Sequence, residues 1–93
     1  MVLTFKRDMK KEIQKRFIDF AAEILLASGS MNKTFEAWHL KKLIVRSSTS
    51  CALNYGEAQH AESSRDFIHK LSIVLKELRE TQVNLQLLNR VGI

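Results

Sequence analysis

Apolar side chains return along the first part of the chain at steps of four, four, three and four: Met9, Ile13, Phe17, Phe20 and Ile24. That spacing lays one greasy stripe along a helix and predicts helix one over about 6–27. Glu12 and Arg16, acid before base four residues apart, support the wet side. Ser28, Gly29 and Ser30 then close it, with Gly29 suited to a left-handed residue just past the C-terminus. Thr34 is placed to cap a second helix over about 35–60, through Trp38, Leu40, Leu43 and Ile44. Ser63 caps a third, over about 64–91, with Asp66 in its first turn. There Phe67, Leu71, Val74, Leu78, Thr81, Leu85 and Leu88 alternate steps of four and three, the 3.5-residue period of left-handed helix packing. Leu71, Val74, Leu78 and Leu85 are therefore expected in the core, and Gly92 is the natural stop.

Helix two changes character in its second half. Over residues 46–58 serine, threonine and asparagine stand where leucine is expected, and such side chains compete with the helix backbone and need partners when buried. Ser50, Asn54 and Glu57 share one face, with Arg46 a turn earlier. They read as a structural seam that fixes helix register, with Glu57 compensated by Arg46 or by a helix-three lysine. The other reading is a pore lining or an anion site. Gly56 costs a helix about 1 kcal/mol against alanine, which points to a close approach by another backbone or to simple tolerance.

Composition narrows the class. Ninety-three residues make one domain, 1–93, with a thin core, and the absence of proline favours helices over turns and strands. The lone Cys51 cannot close an internal disulfide, and no stretch has the uninterrupted apolar core of a signal peptide or the length of a membrane span. A cytoplasmic address and no membrane partner are the expectation. The net charge of +5 is concentrated at the start, where Lys6, Arg7, Lys10, Lys11, Lys15 and Arg16 face only Asp8 and Glu12. Arg7, Lys11 and Lys15 fall on one helix face and could meet phosphates; Phe5 and Phe17 flank them, and no exposed aromatic side chain interleaves with them.

Reaction chemistry is scarce. Glu57-x-x-His60 and Asp66-x-x-His69 have the spacing of di-iron bundles, which also need inward carboxylates from the other helices; Glu12, Asp19 and Glu23 fall beside helix one's apolar stripe instead. Cys51 has neither a histidine nor a helix N-terminus near it to make a thiolate. No serine triad, phosphate-binding glycine loop or zinc-finger spacing is present. The expectation is a protein that is not an enzyme, with no metal, cofactor or small-molecule substrate.

Several of these residues form a pattern found elsewhere. Arg46-Ser47-x-Thr49-Ser50, Asn54-Tyr55-x-Glu57-Ala58, Ser63-x-x-Asp66-Phe67-Ile68-x-Lys70-Leu71 and Lys76-Glu77-x-x-Glu80-Thr81 resemble the bacterial four-helix-bundle proteins named after 23S ribosomal RNA intervening sequences, over roughly residues 17–93. The resemblance implies an all-α, up-and-down, left-handed bundle that assembles with itself, usually as a homopentamer. Its relatives include the accessory protein of diversity-generating retroelements, a basic pentamer that binds nucleic acid. It carries no established molecular role. This chain departs from the pattern at Leu43, where many relatives have glutamine, and it holds three helices, the fourth missing or supplied by a neighbour. Three amphipathic helices alone leave an apolar groove open, which rewards association. The functional expectation is RNA or DNA binding through the helix-one face; the alternative is a structural or protein-interaction scaffold with no nucleic-acid role.

Overall fold

The computed structural model describes the backbone of residues 2–92 and side chains from Lys6 to Gly92, so Phe5 lies outside the described side chains. Three α-helices occupy it: α1 (Val2–Ser28), α2 (Phe35–Gln59) and α3 (Ser64–Val91), with no strand among the described residues. They pack in an elongated body of 50 × 23 × 17 Å, a length set by helices of about 40 Å. Contacts between Gln14 and Gln59 and between Phe17 and Tyr55 run α1 antiparallel to α2. Pairs from Glu57–Lys70 to Ser47–Thr81 do the same for α2 and α3.

The helix ends follow local chemistry. Thr34 accepts from the backbone N–H of Ala37 through its side chain, and Ser63 accepts from Asp66 in the same way, so both starts satisfy a donor the helix itself cannot. Gly92 closes α3 in the left-handed conformation, at φ 75°. Gly29 does not do this for α1, against expectation: Gly92 alone has positive φ among the described residues. α1 ends instead by tightened turns, Gly29 N to Leu26 O at 3.4 Å and Ser30 N to Ala27 O at 3.1 Å, with the Ser28 and Ser30 hydroxyls donating to Leu25 and Ala27 carbonyls.

The core is small and centred on α2. Cys51, Tyr55 and Val74 are buried together, with Phe17 and Leu71 packed against them. α2 touches both neighbours, whereas the α1 and α3 backbones stay apart. Between them runs a groove lined by Ile13, Phe17 and Phe20 on one side and Leu78 on the other. It continues at the far end past Ile24, Leu85 and Leu88. Leu78, expected in the core, is thus 36% exposed, and Leu71 and Leu85 are half-buried; only Val74 of the four is fully enclosed. The heptad stripe of α3 is wide enough for two neighbours, and α2 covers one edge of it.

Candidate nucleic-acid interface

The polar residues that are buried lie beside those the sequence singles out. Ser47, Ser48, Glu77 and Thr81 are enclosed, whereas Ser50 and Asn54 are half-buried and Glu57 is exposed. The Ser47 and Thr81 hydroxyls meet at 2.5 Å across the α2–α3 junction, and Thr81 also donates to the Glu77 carbonyl. Ser48 and Thr49 return hydroxyl bonds to their own helix at Val45, the back-bonding that lets a serine-rich run stay helical. Asn54 likewise turns back on Ser50, donating to its carbonyl and its hydroxyl at 2.9 Å each. Among the described residues no buried side-chain nitrogen or oxygen is left without a partner.

Three ion pairs flank this network. Arg46 reaches Glu80 at 3.0 Å and the buried Glu77 at 3.4 Å; the bond it donates to Glu80, then the charge of Glu77, raises its pKa above the ordinary guanidinium value. Glu57 is met by Lys70 at 2.8 Å, and that bond raises the lysine pKa. Arg46 and Glu57 therefore serve separate partners on α3. Arg46, Ser50, Asn54 and Glu57 follow one another along α2, but within the four only Asn54 and Ser50 bond to each other, and Glu57 is compensated by the α3 lysine Lys70. The register contact is Ser47 with Thr81, two of the residues in the resembling motifs, and the phase of the serine run alone could not select Ser47 over Ser50.

Gly56 is also accounted for. The space above it holds a side chain, not a backbone: Gln14 Oε1 stands 3.4 Å from where a Cβ would be. From there Gln14 donates to the Ala52 carbonyl at 3.2 Å and accepts from Gln59 at 2.7 Å. Cys51 is fully buried with its thiol 3.8 Å from the Val74 carbonyl, and burial, aided by the charge of Glu77, pushes its pKa up to about 11. Such a thiol is a poor nucleophile. Among the described residues no three His, Cys, Asp or Glu side chains come together as metal ligands do, and no helix is long and apolar enough to cross a membrane.

On α1, Arg7, Lys11 and Lys15 are all exposed. Lys15 is held by Asp19 at 2.8 Å, a bond that raises its pKa, and Arg16 by Glu12 at 3.2 Å. Lys10 extends toward α3, 5.7 Å from the centroid of Phe67. Among the described residues Arg7 and Lys11 enter no ion pair, so two of the three stripe cations are available to an outside anion.

A three-helix antiparallel body with a polar register contact, an open apolar groove and a basic first helix defines an all-α helical-bundle protein. The chain belongs to the 23S rRNA-intervening sequence protein family, whose model matches residues 9–93. It is similar to a crystal structure of a protein of unknown function from the S23 ribosomal protein family of Bacteroides thetaiotaomicron VPI-5482: 35% identical, TM-score 0.81, with 88% of this chain and 73% of that one covered. No curated protein matches.

Proposed function

We propose that this is a non-catalytic cytoplasmic protein that assembles with copies of itself and holds RNA or DNA by the phosphates through the outer face of α1. The observation that carries this is the pair Arg7 and Lys11, exposed and outside any ion pair among the described residues, on the most basic part of the chain. A cation meeting phosphate contributes by releasing counterions, which needs no base reading and no deep pocket. The assembly proposed with it multiplies the effect, because a symmetric ring repeats the stripe in every subunit. The groove between α1 and α3 is of the kind a fourth helix covers in an up-and-down left-handed bundle, and a neighbouring subunit is the proposed source of that cover; a pentamer follows from the family resemblance.

Arg7, Lys11 and Lys15 changed together to glutamine should flatten the salt dependence of binding while leaving helicity intact. Every phosphate no longer neutralised lowers the log–log slope by about 0.9 on duplex DNA. Gel-shift titration of both proteins at low and physiological salt measures it. A second reading, a scaffold without nucleic acid, is favoured by the Lys15–Asp19 and Glu12–Arg16 pairs, which satisfy part of the charge within α1. It expects no retained complex at low salt, and that result would remove the nucleic-acid reading.

A further inference from the structure

A second surface, distant in character from the α1 stripe, has the chemistry that stripe lacks. At the turn from α1 into α2, Phe35 is 73% and Trp38 50% exposed, though each is a large apolar ring that burial would favour. They border a shallow hollow of about 360 Å³ whose wall also carries Lys33 and Lys41 and no acidic side chain. Lys42, one turn on from Trp38, holds its ammonium 4.0 Å from the indole centroid. Phe35 stands as a ridge, since its other side lines a larger apolar hollow of about 560 Å³ with Leu87 and Val91 of α3.

We propose that this turn is a binding site for unpaired nucleotides of single-stranded RNA or DNA, with Trp38 and Phe35 as stacking platforms and Lys33, Lys41 and Lys42 as phosphate contacts. Exposed aromatic rings set among cations are what a single strand requires: any base has a face to stack, and the backbone supplies the charge. A duplex cannot use the rings, because its bases are already stacked. Lys33 and Lys41 line this hollow while Glu36 lines the one on the far side of Phe35, so the Trp38 side favours a polyanion over a peptide of mixed charge. The site rests on the nucleic-acid reading of the protein, but it uses different residues and selects a different form of the ligand from the α1 stripe.

Trp38 is the only tryptophan, so emission excited at wavelengths tyrosine does not absorb reports on this site alone. An oligothymidine of about 15 nucleotides titrated into the full chain at about 50 mM salt should quench the emission and lose the effect as salt rises. By anisotropy of a labelled strand, Trp38→Ala should weaken single-strand binding about tenfold and leave duplex binding unchanged, while Trp38→Phe retains most of the affinity. Lys33, Lys41 and Lys42 changed together to glutamine should reduce the single-strand salt slope by about 2. Absence of quenching while the duplex is still retained in gel shifts overturns this site and leaves the α1 reading standing. Loss of single-strand binding in Trp38→Ala, with the α1 triple variant binding as wild type, does the reverse. If Trp38→Ala instead lowers the molar mass in light scattering and leaves single-strand affinity untouched, the rings belong to a contact between subunits and the proposal fails.

Discussion

The two junctions that α2 makes are built differently. Against α3 it sets a buried hydroxyl pair, Ser47 with Thr81, at the middle, the Arg46 ion pairs close beside it and the Glu57–Lys70 pair farther along the junction. Against α1 it sets the ring of Tyr55, 5.4 Å from that of Phe17, the Gln14 bridge to Ala52 and Gln59, and the buried Ala21. Hydrogen bonds are directional and a buried hydroxyl left unpaired is costly, so the α2–α3 junction has one register. Burial is not directional, and α1 leaves Met9, Ile13, Ile18, Leu25 and Leu26 largely outside it. The lesson is a division of labour: a buried hydroxyl pair and ion pairs fix α2 to α3, whereas the half-buried Gln14 bridge and one aromatic contact hold α1, the helix that carries the outward-facing charge.

The change with the largest expected effect attacks the residue common to both junctions. Tyr55 packs with Cys51 and Val74 and meets Phe17, so Tyr55→Ala removes a ring from the whole core and should cost about 3–5 kcal/mol, the range for buried aromatic truncations. In a chain with so thin a core that is most of the available stability. A urea melt followed by circular dichroism measures it. A loss near zero would mean that the two junctions share no core.

A smaller effect comes from pH and singles out the α2–α3 side, where Cys51 faces Val74. The thiol pKa is raised from 9.0 to about 11 by burial. The sign follows from linkage: between these values the unfolded chain releases a proton that the folded chain keeps, so the stabilisation is complete below pH 9 and is lost as pH climbs through 11. The loss is about 3 kcal/mol at most. Stability measured from about pH 8 to 11 should fall less steeply in Cys51→Ala than in wild type; equal slopes would place the titration elsewhere.

How far the sequence reveals this division depends on whether the signal is local. Thr34, Ser63 and Gly92 mark helix ends by chemistry within one turn, and the structure uses all three as caps. The α3 heptads place Val74 in the core correctly, but Leu78 obeys the same period and stands in the open groove, because periodicity says which face is apolar and not what covers it. The polar seam was legible as a region and not residue by residue. Four successive hydroxyl side chains, Ser47 to Ser50, point around most of a turn, and the one that matters is chosen by Thr81, a residue more than thirty positions away. The exposure of Phe35 and Trp38 was equally hidden, since both fit the start of an amphipathic helix.

That hydroxyl pair gives the finest test of the comparison. Ser47→Ala removes the partner of Thr81, yet Thr81 still donates to the Glu77 carbonyl, so no buried donor is stranded and the cost should be about 1 kcal/mol, near that of one ordinary hydrogen bond. Thr81→Val keeps the shape and leaves the Ser47 hydroxyl only its long 3.4 Å bond to Ile44. The double variant should therefore be more stable than the two single losses added together, with a coupling of about 0.5–1 kcal/mol. Urea melts of the four proteins give that number directly. Strict additivity would mean that the bond does no more than fill space, and the middle of the α2–α3 junction would then rest on burial alone.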